Sequence, residues 1–549
     1  MRTMGPRTSR RTVLQWGAAG AAATVAGVLD VSTGPWQALA RAAAPQKGSG
    51  RVVLTLSPWA ALWNPAVQGI LYDATAPFRA AHPSVEIRLV PPVGGNPPIN
   101  ITALLAGSGP DVFEDWIMEP YLQTETILDL RRYVTAYNLD LSVFTSAQID
   151  HYTSGSGLYG LPAYANVYAM VVNEGILDQQ GLTYPSPQWT YEEAESLWRK
   201  AARRSPDPSK TIYGGSFFFS GAGGGIPATF YLKGWGASYV AAKSPSRCGL
   251  DAPEAATCLK WMFDLLRDGV CTTSGSFGRG NIVCGWLGDY RLTYVASNEN
   301  WRSLKWRAYP MPIWPHGGGT TMGADFYAIS ARTRYPDAAW ALLQWLTGSR
   351  SWQTAMMHTF LIGPSLRPMW SEYVTYVESI APPLKGKGLD VFAQAMLNDW
   401  PVIRARFASD DTQAYGIIGG WLRKALSGQV ALSEALAQAT RQVNALEASP
   451  VATPVVPPPL PAPPVLQALF HRDRTAEAAW RVLSLVYAGR LDLQHAFPQH
   501  SPTFIPSLIG WATTWGVTTD GDAHLLVPYK AGLLAIRAAI SKGAAAKPS

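Results

Sequence analysis

A chain of 549 residues has room for two to four domains, and 47% hydrophobic against 15% charged residues is the balance of a globular protein, not of a disordered one. The formal net charge is +7, but four arginines and one aspartate in the first 40 residues supply +3 of it. The +4 that remains is scattered and without a long basic run, which excludes a nucleic-acid-binding surface and leaves no nucleic acid among the expected partners. Composition is unusual only in its 22 Trp and 23 Tyr, most of them expected in the core and a few suited to flat, partly apolar ligands.

Residues 1–40 read as a targeting segment. Ser9-Arg10-Arg11-Thr12-Val13-Leu14 fits a twin-arginine pattern, a weakly apolar Ala/Gly-rich stretch runs from Gly17 to Val28, and Ala38-Leu39-Ala40 fits a cleavage site. The expected location is therefore periplasmic or extracellular after export by the twin-arginine route, with an uncleaved segment as one way to stay at the membrane. The first cysteine is Cys248, so a lipid anchor of the bacterial lipoprotein type is not expected.

Val52 to Leu56 reads as a first strand, with Trp59 and Trp63 in the loop after it. Ala66 to Ala81 follows as a helical stretch carrying Ile70, Leu71, Ala74 and Phe78 at helical spacing. His82-Pro83 leads into a second strand at Val85-Glu86-Ile87, and Ala106-Gly107-Ser108-Gly109-Pro110-Asp111-Val112 ends a helix and opens a third. Tyr159-Gly160-Leu161-Pro162 is a turn, and Val167 to Val172 is a run rich in β-branched and aromatic residues, as a buried strand requires. The helix after it should end on a glycine cap at Gly181, and Thr190 with Glu193 makes a T-x-x-E capping box for the next.

The glycine-rich loop Ser216 to Gly225 lacks both phosphate-loop spacings. Pro253 to Arg267 places Leu259, Met262, Phe263 and Leu266 on one helical stripe. Cys248, Cys258, Cys271 and Cys284 form no C-x-x-C pair and have no histidine at metal spacing, so no metal is expected. In an exported chain two disulfides are the natural reading; of the three pairings, Cys248–Cys258 with Cys271–Cys284 closes the shortest loops, and free buried thiols are the alternative. Further on come Phe277 to Asp289, a return segment Met322-Gly323-Ala324-Asp325-Phe326-Tyr327-Ala328-Ile329-Ser330, the helix Pro336 to Leu346, and a helix pair within Trp421 to Leu446. Eight of the fifteen residues from Pro450 to Pro464 are proline, which predicts a semi-rigid linker. Beyond it two helices are expected, Arg474 to Tyr487 and Tyr529 to Ser541. With only two helices to build a core, the tail reads as a strap on the lobes in preference to an independent module.

The order of these pieces resembles the extracellular solute-binding proteins of ABC importers, in the group that mostly binds sugars. The match runs through the Phe78 to Ile87 link, the Gly107 to Val112 segment, the Tyr159 to Pro162 turn, the strand ending in Asn173, the Trp189 to Glu193 turn, the Ala328-Ile329-Ser330 return and the Pro336 to Leu346 helix. It covers about residues 51 to 447. What the resemblance implies is an α/β fold of two lobes, the periplasmic-binding-protein type II fold with crossover hinge segments, plus a C-terminal extension. Residues 41–163 and 319–356 would form lobe 1, and residues 164–318 and 357–449 lobe 2 with the closing helices. Residues 450–464 would be the linker and 465–549 an extension of unknown role.

The resemblance further implies a monomeric binding protein without catalysis or cofactor, which closes on a carbohydrate and delivers it to membrane permease subunits. Candidate ligand-binding residues, placed by matching loops next to strands and crossings, are Trp59, Trp63, Asp115, Trp116, Tyr164, Asn166, Trp286, Asp289 and Asp325. Trp and Tyr rings suit the apolar faces of sugars, and carboxylates and amides suit their hydroxyls. A non-sugar solute and an exported glycoside hydrolase are the competing readings. The hydrolase would need a defined carboxylate pair that adjacent pairs such as Glu192-Glu193 do not make.

Overall fold

The computed structural model describes residues 51–545 apart from 59–64, 91–96, 106–108, 218–224, 244–245, 399–400, 449–459, 515–529, parts of 404–410 and 490–502, and the single positions 275, 318, 324 and 461. The targeting segment, Trp59, Trp63, most of the glycine-rich loop and most of the proline-rich linker lie outside the described residues.

In chain order the elements used below begin with strand β1 (Val52–Ser57), helices α1 (Pro65–Ala74) and α2 (Ala76–Ala81), β2 (Val85–Leu89), α3 (Pro97–Leu105) and β3 (Val112–Asp115). Next come β4 (Tyr168–Asn173), α4 (Glu174–Gln180), α5 (Tyr191–Ala201), β5 (Tyr213–Ser216), α6 (Gly225–Gly234) and α7 (Pro253–Arg267). They are followed by β6 (Cys271–Thr272), β7 (Ile282–Gly288), β8 (Trp306–Tyr309), β9 (Phe326–Ile329), α8 (Pro336–Gly348) and α9 (Arg350–Phe360). The chain ends through α10 (Asp411–Leu426), α11 (Leu432–Ala448), α12 (Pro464–Arg472), α13 (Arg474–Gly489), α14 (Phe504–Thr514) and α15 (Lys530–Ala545). The chain divides into two compact units.

One unit holds residues 44–129, 327–343 and 452–549. Its sheet runs β2-β1-β3-β9, with β1 parallel to β2 from Val52 opposite Val85 to Leu56 opposite Leu89. Asp111, just before β3, ties the sheet together. Its Oδ2 accepts from the Thr55 amide (2.8 Å) and hydroxyl (2.7 Å), and its Oδ1 accepts from the Thr333 hydroxyl (2.6 Å). The helical stretch expected from Ala66 to Ala81 is two helices, with a break at Thr75.

The tail belongs to this unit and is more than a strap. Besides the two expected helices it contains α12 and α14. The four helices share a hydrophobic core that includes Leu466, Leu483, Leu508, Ile509, Leu533 and Ile536, all fully buried. Trp480 closes it by donating from Nε1 to the Leu460 carbonyl (3.0 Å). Counting two helices underestimated the apolar surface that α12 and α14 supply; α13 also contacts α3.

The other unit holds residues 130–326 and 344–451. Residues 130–163 thus group with it. Its sheet is ordered β6-β5-β7-β4-β8, with β5, β6 and β7 parallel and β4 antiparallel to β7 and β8. β4 is buried along its whole length, which explains its unbroken apolar run. Asn173 caps α4 by accepting from the Ile176 amide (3.2 Å), and Gly181 ends it at φ +63°, a left-handed turn that glycine adopts without strain. The capping box is formed. The Thr190 amide donates to Glu193 Oε2 at 2.7 Å, and the Glu193 amide to the Thr190 hydroxyl at 3.4 Å. Trp198 of α5 is buried against β5, where a Cβ on Gly214 would stand 2.4 Å from its own Cβ.

The cysteine expectation is overturned. Cys248, Cys258, Cys271 and Cys284 are all free and buried. Cys271 and Cys284 each pair in register with Gly215, one on either side of β5. Two strand spacings put their Cα atoms about 9.6 Å apart, beyond the roughly 6.8 Å that a disulfide spans. The Cys248 amide donates to Asn444 Oδ1 (2.8 Å), so Cys248 lies beside α11, whereas Cys258 faces the core from α7. Burial pushes all four thiols up, Cys284 to about 12. All four should therefore react with a thiol reagent in denaturant without prior reduction and react slowly in the native protein. A thiol titration with and without reductant checks this, together with an unfolding midpoint that reductant leaves unchanged.

Candidate functional site

The second unit is threaded by residues 161–167, which are buried apart from Asn166. Buried backbone must find hydrogen-bond partners, and here they come from several directions. The Ala163 amide donates to the Asp325 carbonyl (3.0 Å) and the Ala165 amide to the Gly363 carbonyl (3.0 Å). The Ala163 carbonyl accepts from Gln353 Nε2 (3.3 Å) and the Tyr164 carbonyl from Gln148 Nε2 (3.2 Å). The Asn166 carbonyl accepts from the Gly323 amide (2.9 Å), and the Val167 carbonyl from the Asp289 amide (3.0 Å).

Two aspartates follow from this arrangement. Asp325 accepts from the Tyr164 hydroxyl at Oδ1 (3.3 Å) and from Asn166 Nδ2 at Oδ2. Gly323 makes room for the pair, since a Cβ there would lie 2.8 Å from Asp325 Oδ2 and 2.9 Å from the Asn166 Cβ. Asp289, fully buried just after β7, accepts at Oδ2 from the Gly363 amide (2.8 Å). Its Oδ1, like Oδ1 of Asn166, has no hydrogen-bond partner among the described residues. Desolvation pushes the Asp289 carboxyl well above the usual carboxylate range; the Gly363 amide opposes the rise and the Asp325 charge adds to it.

Beside them stands an aromatic group. Tyr168, at the start of β4, has its ring centroid 5.7 Å from Trp286 of β7 and 6.1 Å from Tyr290. Trp286 and Tyr290 are half-buried. Gly288 permits the fold-back of Tyr290, because a Cβ there would meet the Tyr290 ring at 2.4 Å. Burial, with Tyr290 next to it, raises the Tyr168 phenol well above its ordinary value.

Five of the sequence-derived candidates, Tyr164, Asn166, Trp286, Asp289 and Asp325, thus sit around one crossing strand and the end of one sheet strand. Tyr168 and Gly363 were missed. Tyr168 had a readable signal, an aromatic opening the strand that follows the crossing. Gly363 had none, because its role depends on contacts with Asp289 and Trp370.

In the other unit Asp115 is fully buried and fully used. Its Oδ1 accepts from the amides of Trp116 (2.7 Å) and Ile117 (3.2 Å), and its Oδ2 accepts from the Tyr121 hydroxyl (2.6 Å). Asn100 donates to the same hydroxyl (2.9 Å). Asp115 therefore shapes the turn that carries the half-buried Trp116. Among the described residues no three His, Cys, Asp or Glu side chains are placed to hold a metal ion.

The profile of the bacterial extracellular solute-binding protein family matches residues 60–351, more than half of the chain, and the chain belongs to that family. Its architecture is the two-lobed α/β fold of periplasmic binding proteins. An ABC substrate-binding protein from Listeria monocytogenes in complex with cycloalternan is 16% identical and superposes with a TM-score of 0.57, covering 72% of this chain and 98% of that one. A cyclic α-maltosyl-1,6-maltose binding protein from Arthrobacter globiformis is 17% identical at a TM-score of 0.59, covering 72% and 99%. An ABC transporter solute-binding protein from Thermotoga lettingae, bound with α-D-tagatose, is 17% identical at 0.55, covering 72% and 100%. At such identities the likeness is one of fold. No curated protein matches the chain by sequence.

Two measurements test the site's wiring. Gly363→Ala would place a Cβ 2.1 Å from the Trp370 ring and 2.5 Å from Asp289 Oδ2. It should cost about 2 kcal/mol in denaturant unfolding. The raised Asp289 pKa means that the folded state keeps a proton the unfolded chain releases near pH 4. Stability from this group is present below about pH 4 and is lost as pH rises toward the folded value. The unfolding midpoint of Asp289→Asn should therefore gain on the parent protein as pH rises above about 4.

Proposed function

We propose that this protein is the exported receptor of an ABC importer, that it captures a carbohydrate by closing on it, and that it hands the sugar unchanged to membrane permease subunits. The observation that carries the reading is the Tyr168, Trp286 and Tyr290 group beside Asn166 and Asp325, at the C-terminal end of β7. The half-buried rings of Trp286 and Tyr290 suit the C–H faces of a sugar ring, and the neighbouring amide and carboxylate suit its hydroxyls. The sugars named with several fold relatives support the same substrate class.

In this reading Trp286 and Tyr290 stack on the ligand, and Asn166 and Asp325 bond its hydroxyls. Tyr164 holds Asp325 in place, and Asp289 positions Gly363 and the strand beside it. Asp115 orients Trp116 toward its role in the other unit, and Trp59 and Trp63 add stacking surface. The receptor works as a monomer, without catalysis or cofactor, after export through the twin-arginine segment.

A thermal-shift screen against mono-, di- and oligosaccharides and polyols tests the proposal, because a ligand bound only by the folded state raises the melting temperature. The expected result is a shift with one sugar class and recovery of that sugar unchanged. Trp286→Ala with Tyr290→Ala should then weaken affinity at least about tenfold, in line with the loss of two stacking rings. Consumption of the sugar over time would overturn the binding-only reading, and a shift only with a non-sugar solute would overturn the substrate class.

A further inference from the structure

The four-helix tail module lies beyond the residues matched to the family, and one of its faces has an unusual make-up. Helix α15 buries Leu533 and Ile536 and exposes Lys530, Ala531, Leu534, Arg537, Ala538, Ser541 and Lys542. At 100° per residue the exposed positions occupy one arc of the helix. Helix α12 packs against α15 and exposes Val465, Gln467, His471 and Arg472.

Neither helix contains an acidic residue. Together they present four fixed cations, Arg472, Lys530, Arg537 and Lys542, and two exposed aliphatic side chains, Val465 at 39% and Leu534 at 46%. The acidic groups on the adjoining segment are engaged locally. Asp473 accepts from the Ala476 amide (3.1 Å) at the start of α13, and Glu477 is bonded by Arg481 (2.8 Å). Among the described residues this face is left uncovered in charge as well as in apolar surface.

We propose that the α12 and α15 face of the C-terminal module is a docking surface for an anionic phospholipid membrane. Cations on a helix face attract anionic headgroups, and aliphatic side chains among them enter the boundary between headgroup and acyl chain. No helix among the described residues is long and apolar enough to cross a membrane. Four cations and two aliphatic side chains give reversible attachment that salt weakens. The module would hold the solute-binding units at the membrane surface while leaving them free to exchange ligand.

Co-sedimentation of the exported full chain with vesicles tests this. One set contains phosphatidylglycerol and phosphatidylethanolamine, the other phosphatidylcholine alone. Binding should be several-fold higher on the anionic vesicles and should fall as NaCl is raised from about 50 to about 500 mM. Lys530→Glu, Arg537→Glu and Lys542→Glu together should lower the apparent affinity at least about tenfold. Val465→Ser with Leu534→Ser should lower it too, and thermal unfolding should confirm that both variants are folded. Equal binding to both vesicle types, no binding to the anionic vesicles, or an unchanged charge-reversed variant overturns the proposal. Selective capture of an acidic protein without vesicle binding also overturns it. Were a variant to misfold, the lipid comparison and salt titration on the parent protein would still decide.

Discussion

Residues 161–167 must pass through the interior of a unit without water to satisfy their peptide groups, and much of the second unit is arranged to meet that demand. Two glutamines, Gln148 and Gln353, lie fully buried, and each donates to a carbonyl of this strand. Gln353 alone donates to the carbonyls of Ala163 (3.3 Å) and Leu346 (3.0 Å) and accepts from the Ser365 amide (2.8 Å). A buried polar group left unpaired costs on the order of 1–3 kcal/mol, so each member of this network fixes the others. The strand's position is over-determined, and the candidate site inherits its geometry from that strand.

The same economy explains the aspartates. Asp325 contributes its backbone carbonyl to the strand and its side chain to Tyr164 and Asn166. Asp289 gives its amide to Val167 and its carboxyl to Gly363. Each residue is structural through its main chain and chemical through its side chain, so removing either would disturb scaffold and site together. The half-buried rings of Trp286 and Tyr290 differ from them. They meet Tyr168 through ring contacts, with centroids 5.7 Å and 6.1 Å away.

Local signals in the sequence were legible where their physics is local. The capping box at Thr190, the glycine stop at Gly181 and the buried run from Val167 to Val172 are written within a few residues of where they act. Site residues next to strands were legible for the same reason, since the crossing and the end of β7 each mark a place on the chain. What stayed hidden depends on strand order. Cys271 and Cys284 are close in sequence, and no local pattern says that β5 lies between them. Gly363 contacts Asp289 across more than seventy residues of chain. The tail's extra helices were hidden for a different reason: α12 and α14 are short, of nine and eleven residues, and the core they fill is shared with α13 and α15.

The free thiols bear on how the protein matures. A core closed by packing around Cys248, Cys258, Cys271 and Cys284 reaches its final form without an oxidant, an isomerase or a choice among crosslink isomers. Its folding is therefore indifferent to the redox state of the compartment in which it happens. A transport route that carries finished proteins, as we propose for this chain, would receive it with no crosslink left to form on the far side.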